Sequence, residues 1–295
     1  MDPFSDLLGL LRARSASAGT LIAGGSWGLD VPSYEAIKFW CVVRGTCLFV
    51  FGRDKPVRAN AGDVVLLASP QAHVIASDLR ARRTPFSDVL AAREGMIARV
   101  GQGDDFAMIG GKVLLDPVTA RLLLDALPRL VVVHGDPRVQ WVMHEMAREQ
   151  ADGSPGASVA SAQLAHLMLI HVLRAHLASE AGGPSWLRAV VDRRLEPALC
   201  KMHADPGHPW QLGELAKASA MSRSAFAAHF TSVAGCSPIT YLTEWRIHLA
   251  KRALRDDPQA SLGELATSLG YASQSSFSNA FKRVTGAAPS LYRPI

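Results

Sequence analysis

Near its C-terminal end the chain repeats itself, and this restricts the fold more than any other feature. Leu212-Gly213-Glu214-Leu215-Ala216 returns 50 positions later as Leu262-Gly263-Glu264-Leu265-Ala266. After one extra residue, Phe226, Phe230, Val233, Gly235 and Pro238 return 51 positions on as Phe277, Phe281, Val284, Gly286 and Pro289. Ten positions in register, with paired Gly and Pro among them, mark two copies of one supersecondary unit. Each copy has the spacing of a helix-turn-helix. A short helix (about Leu212 to Ser219) carries Leu215 and the small Ala216, where a second helix can cross closely. A turn follows, Ala220-Met221 in the first copy and Gly270-Tyr271-Ala272 in the second. The next helix opens on Ser222 or Ser273, whose hydroxyls suit an N-cap. Phe226 and Phe230 lie four apart, as do Phe277 and Phe281, so each pair fills one buried stripe.

That stripe leaves Arg223, Ser224, Ala227, Ala228 and Thr231 outward in the first copy, and Gln274, Ser275, Ser278, Asn279 and Lys282 in the second. Gln and Asn pair bidentately with adenine edges, Arg with guanine, and Ser with a base edge or a phosphate. Arg246, Lys251, Arg252 and Arg255 on the intervening helix, with Lys282 and Arg283, are the expected phosphate contacts. The charge distribution agrees. Residues 1–185 carry 18 basic and 18 acidic side chains, and residues 186–295 carry 13 and 8, so the whole net charge of +5 sits in the last third. That points to a polyanionic partner for this part, double-stranded DNA first among them. Pro238 to about Arg255 gives a spacer of about 27 Å at the helical rise. With the flanking bodies, two reading helices would then sit about one duplex turn, near 34 Å, apart on one DNA face.

The tandem repeat, Pro238-Ile239-Thr240-Tyr241-Leu242 with Trp245-Arg246, and the closing Gly270-Tyr271, Phe277, Phe281-Lys282, Gly286, Pro289 and Tyr292-Arg293 resemble the AraC/XylS family of bacterial transcriptional regulators over about residues 190–293. The resemblance implies two helix-turn-helix units joined by a long helix, in a chain that usually activates promoters, which makes RNA polymerase a further partner. One departure stands out. Where many relatives have a run of arginines in the first reading helix, this chain has Ala227, Ala228, His229 and Thr231.

The N-terminal part has another pattern. Phe39 to Val43 and Cys47 to Phe51 are β-branched and aromatic runs split by Arg44-Gly45-Thr46, which predicts a hairpin. Ala61-Gly62-Asp63 turns into a third strand, Val64 to Leu67. Residues 78–95 show no period and are expected to form a surface loop. Gly45, the Ala61-Gly62-Asp63 step, Pro70 and His73 are similar in order to the cupin-like sensor domain attached to a branch of the same family, over about residues 5–135. Metal-binding cupins use two or three His and a Glu. Here Lys38-Phe39-Trp40-Cys41-Val42 lacks the His pair and leaves His73 alone, so no metal, no cofactor and no cupin enzyme chemistry is expected. His73 reads instead as a strand-end hydrogen-bonding residue.

The expected architecture is therefore α+β: a cupin-like β-barrel or sandwich with flanking helices over residues 1–180, then an all-α domain over 186–295. Within the latter, the first unit spans about 210–235, the linker helix about 238–256 and the second unit about 261–287. Val159 to Glu180 has a helical stripe through Leu164, Leu167, Met168, His171 and Ala175, which suits either self-association into a homodimer or packing on the chain's own sensor domain. A further helix is expected over Asp116 to Leu127, with Pro117 near its start. His166, His171 and His176 recur every five residues and so cannot share one ion on a helix.

Cys41 and Cys47 flank the Arg44-Gly45 turn and are the candidate redox residues, since cupin-like members of the family are similar in plan to regulators that sense reactive chlorine through thiols. A two-residue turn would point them to opposite faces and a three-residue turn to one face; neither geometry suits a disulfide. Cys200 and Cys236 read as small core residues. No apolar run approaches membrane-spanning length and the N-terminus lacks a secretion signal, so a cytoplasmic protein with no membrane partner is expected. The N-terminal domain is expected to receive a small-molecule or redox signal. Two readings from other classes are a cupin-type small-molecule enzyme with a structural helical C-terminal domain, and a DNA-repair alkyl acceptor; the latter needs a clustered reactive cysteine.

Overall fold

The computed structural model of the chain describes residues 2–11, 15–34, 36–116, 120, 123–124, 126–152, 154–179 and 183–293. These form two compact units. One comprises Ala13–Leu115 and Leu127–Ala181; the other joins Met1–Arg12 and Asp116–Ala126 to Gly182–Ile295. The partition thus differs from a single cut between residues 180 and 186. The first helix, α1 (Pro3–Leu11), buries Phe4, Leu7, Leu10 and Leu11 within the C-terminal unit rather than in the β-rich unit. The helix packs against the segment Glu196–Ala204, nearly two hundred positions away, where Asp6 meets His203 at 3.2 Å.

The β unit is two sheets face to face. A six-stranded sheet has β1 (Ser15–Gly24) paired along its length with β10 (Phe106–Leu114) and parallel to β9 (Ile97–Gly101). From β10 it continues through β3 (Ile37–Arg44) and β6 (Val64–Leu67) to β11 (Leu130–Val133). A five-stranded sheet runs β5 (Val57–Asn60), β4 (Thr46–Val50), β7 (His73–Ala76), β2 (Gly28–Val31), β8 (Arg83–Pro85). Alternate residues of both sheets, among them Trp40, Val42, Phe49, Ile75 and Met108, make one core between them. Burying each such aromatic or aliphatic side chain contributes about 1.5–3 kcal/mol.

Two sequence expectations are corrected here. The runs around Gly45 are not a hairpin: β3 and β4 lie in different sheets, and the chain crosses between them at Gly45. Gly45 has φ +79°, and a Cβ there would lie 2.8 Å from the carbonyl of Asp105. A tight turn between apolar runs looks the same in sequence whether the strands pair with each other or leave for other partners. Residues 78–95 are likewise not a plain loop. They hold β8 and the helix α2 (Phe86–Ala91), which puts Phe86 and Val89 into the core. Elements of three and six residues are too short to show a period.

Behind the six-stranded sheet pack α3 (Pro137–Asp152) and α4 (Ala157–Ala178). The buried stripe of α4 is Ser161, Ala165, Met168, Leu169 and Val172, laid against β1, β10 and β11. Apart from Met168 this is not the stripe read from sequence; Leu164, Leu167 and His171 flank it and are half-buried. A helix apolar on nearly all sides gives periodicity little to choose between. The helix expected over Asp116 to Leu127, Pro117 included, lies largely outside the described residues.

Candidate nucleic-acid interface

The helices of the C-terminal unit are α5 (Trp186–Ala189), α6 (Glu196–Ala204), α7 (Leu212–Ala218), α8 (Arg223–Ala234), α9 (Pro238–Asp256), α10 (Leu262–Ser268) and α11 (Gln274–Thr285), closed by a 3-10 turn at Pro289–Tyr292. The two copies are built alike down to single hydrogen bonds. Ser222 and Ser273 cap α8 and α11, their hydroxyls accepting from the N–H groups of Ala225 and Ser276 at 3.2 and 3.1 Å. The duplicated glycines Gly235 and Gly286 end the same helices at φ +75° and +77°, where a side chain would be strained. Phe226 and Phe230 lie with ring centroids 5.7 Å apart, as do Phe277 and Phe281. Ala216 and Ala266 are both buried where the helices cross.

The turns explain the extra residue. Met221 N–H donates to Ala216 and Tyr271 N–H to Ala266, each at 2.9 Å, so the copies remain 50 apart through the turn. Ser222 and Ser273 are 51 apart. The inserted residue is therefore Ala272. At the left-handed position of the turn the copies differ in kind: Gly270 has φ +79° and Ala220 has φ +52°, making Ala220 the one non-glycine with positive φ among the described residues.

Of the expected reading residues, Arg223, Ser224, Ala228 and Thr231 on α8 are exposed, as are Gln274, Ser275 and Asn279 on α11, with Ser278 half-exposed. Lys282 and Arg283 are exposed as well. Ser224, Ala228 and Thr231 make one line along α8 at the i, i+4, i+7 spacing; Ser275, Asn279 and Lys282 make the matching line on α11. The guanidinium of Arg223 lies over α7 at Gly213, where a Cβ would come within 2.8 Å of its Nε.

Arg246 is engaged within the unit. It is half-buried, its Nε donating to the carbonyl of Pro206 and its Nη2 to that of His208 at 2.9 Å, with the guanidinium 5.7 Å from the Tyr271 ring centroid. It ties the loop before α7 to α9 and to the second turn. The other cations of α9 are also engaged. Lys251 is buried, 5.5 Å from the Tyr292 ring centroid; Arg255 binds Asp116 at 2.7 Å; Arg252 faces Asp256 at 3.7 Å. The sequence offers these as phosphate contacts, because their partners within the unit are distant in the chain or lie at the helix end. His229, one of the residues replacing the arginine run, turns to Asp192 at 3.1 Å.

In the β unit, His73 starts β7 with its Nδ1 donating to the carbonyl of Gln71 at 3.1 Å, and burial holds its pKa down to about 4. Cys47 lies in the inter-sheet core and Cys41 on the opposite face of β3. Burial, with Asp63 adding to it, pushes the Cys47 thiol up to about 12, and burial alone raises Cys41 further. Both are held as thiols, away from the lowered range of reactive cysteines. Among the described residues no three of His, Cys, Asp and Glu gather as a metal-binding group, and no helix is long and apolar enough to cross a membrane.

A cavity of about 340 Å³ opens in the β unit beside the aromatic rings of Tyr34, Trp40 and Phe86. Lys38 enters it from β3 and is buried, with its Nζ 3.3 Å from the Tyr34 ring centroid. Burial and the nearby Lys112 bring its pKa down to about 7. Gly110 leaves the space that Trp40 occupies, since a Cβ there would fall 2.3 Å from the indole ring.

Residues 2–178 match the family described as Cupin and residues 215–294 that described as Helix-turn-helix domain. A putative AraC-like transcription regulator of Streptomyces antibioticus is 42% identical over 99% of this chain and 98% of its own. Another, of Streptomyces lividans, is 40% identical over the same shares. The HTH-type transcriptional regulator AlkR of Acinetobacter baylyi is 28% identical over 99% of both chains. With a double sheet followed along the chain by two capped helix-turn-helix units, the chain belongs to the family of AraC-like, DNA-binding transcription regulators.

Proposed function

We propose that the chain reads two successive major-groove segments of one promoter with α8 and α11, and that the β unit adjusts this binding to a small effector. The observation that supports it best is the near-identity of the two capped units together with the polar lines on their outer faces. Asn279 and Gln274 read adenine edges, and Arg223 a guanine. Ser224, Ser275, Ser278 and Thr231 serve base edges or phosphates, while Ala228 offers a methyl group to thymine. Phosphate contact falls to Lys282 and Arg283, because the cations of α9 are occupied within the unit. The first copy, with Ala227, Ala228 and Thr231 where the second has Ser278, Asn279 and Lys282, contributes fewer polar contacts, and sequence preference is sharper at the half-site of α11.

The same reading takes the chain as an activator in the cytoplasm that engages RNA polymerase from its bound position. The half-buried line Leu164, Leu167 and His171 on α4 is its surface for a homodimer. Cys41 and Cys47 take no redox part in it. Genome footprinting in the source cell tests the whole: enrichment of one motif upstream of genes whose transcription falls when the chain is deleted supports the reading. Uniform occupancy without a motif refutes it.

A further inference from the structure

This inference rests on the effector reading of the β unit and narrows the chemistry of what binds there. Lys38 and Lys112 are direct partners across β3 and β10. In an antiparallel pair, directly opposed residues project from the same face, and like charges so placed repel. Both line the cavity, and Arg93 adds a third cation to its wall. Among the described residues that line it there is no Asp or Glu, and none accepts a hydrogen bond from the Lys38 ammonium. The rings of Tyr34, Trp40 and Phe86 surround this ammonium at 3.3, 5.5 and 5.5 Å from their centroids. Ring faces attract a cation but accept none of its three N–H groups as a carboxylate oxygen does.

A buried lysine held directly opposite a second, exposed lysine costs stability unless an anion lies between them. The space beside the pair is walled by aromatic carbon and lies at the small end of ligand-pocket volumes. We propose that this cavity binds a small aromatic monocarboxylate, its carboxylate between Lys38 and Lys112 and its ring against Tyr34, Trp40 and Phe86. The lowered pKa of Lys38 fits the same picture, since the amine is only partly charged until an anion arrives.

The test is isothermal titration of the full chain with 3-phenylpropanoate and with its neutral isostere 3-phenylpropanamide. The expected result is saturable binding of the carboxylate, with the amide at least about tenfold weaker because it forfeits a charge-assisted hydrogen bond. Near pH 8, binding should draw a proton from buffer, seen as a dependence of the heat on buffer ionisation enthalpy. The titratable groups facing the ligand are Lys38, Lys112, Arg93 and Tyr34, of which Lys38 lies nearest that pH. Lys38→Met, which keeps the chain length and removes the charge, should abolish the preference for the carboxylate and the proton uptake. Lys112→Gln, at an exposed position, should weaken the carboxylate several-fold while the amide is unchanged. Equal binding of acid and amide, binding of neither, or an unaltered preference in both variants overturns the proposal. Binding of the amide alone would leave an effector pocket standing and remove the anion from it.

Discussion

Two substitutions at equivalent turn positions have opposite expected signs. Ala220 and Gly270 both sit at positive φ between the helices of their units. An L-residue in this region is strained by about 1–2 kcal/mol. Ala220→Gly relieves that strain and gives back about 0.4–1 kcal/mol through the larger freedom of glycine in the unfolded chain. The net is a gain of roughly 0.5–1 kcal/mol, since Ala220 is exposed and its methyl packs on little. At Gly270 a Cβ would fall 2.2 Å from the carbonyl oxygen of Gly207 and 2.9 Å from Nη2 of Arg246. Gly270→Ala therefore adds overpacking to backbone strain and displaces the arginine that holds the 206–208 loop, for a cost of about 3 kcal/mol or more. Thermal melting of the full chain, followed at the transition of the C-terminal unit, measures both. The expected shifts are roughly +3 to +5 °C for Ala220→Gly and more than about −10 °C for Gly270→Ala. A lowered midpoint for the first, or no change for the second, would refute the reasoning.

Other perturbations separate the roles assigned above. Asn279→Ala and Gln274→Ala should each weaken binding to the preferred site by about 1–3 kcal/mol and leave random DNA nearly unaffected, as competition titrations would show. Lys282→Ala should reduce the salt slope of binding by about one for every sequence, whereas Arg246→Ala should leave the slope unchanged and lower the melting midpoint of the unit. An altered slope with Arg246→Ala would return that residue to the phosphate contacts. For His73, the folded pKa of about 4 lies below the ordinary 6.5, so the unfolded chain takes up a proton first as pH falls. Stability of the β unit should then fall by up to about 2 kcal/mol from pH 6.5 to 5. Denaturant titrations at both pH values check this, and His73→Phe should flatten the difference.

The C-terminal unit was legible because its information is local and doubled. Caps at Ser222 and Ser273, the left-handed ends at Gly235 and Gly286, and the phenylalanine pairs are all set within a few residues of one another. Where partners are remote, sequence reading failed. The inward turn of Arg246 depends on the carbonyls of Pro206 and His208, and that of Arg255 on Asp116. Strand pairing in the β unit failed for the same reason, since Gly45 sends β4 to another sheet. The rotated stripe of α4 shows the limit of periodicity when both faces of a helix are apolar. Lys38 was visible only as one residue without the expected histidines; its opposition to Lys112 is a matter of register between strands some seventy residues apart.

The most direct measurement is selection of binding sites from a random duplex library by the full chain, followed by footprinting of the winner at one chain per duplex. Two protected major-groove blocks with centres about 10 base pairs apart are expected, with the block read by α11 more sharply defined. A single protected block, or a pattern that forms only when two chains bind, would contradict tandem reading by one molecule.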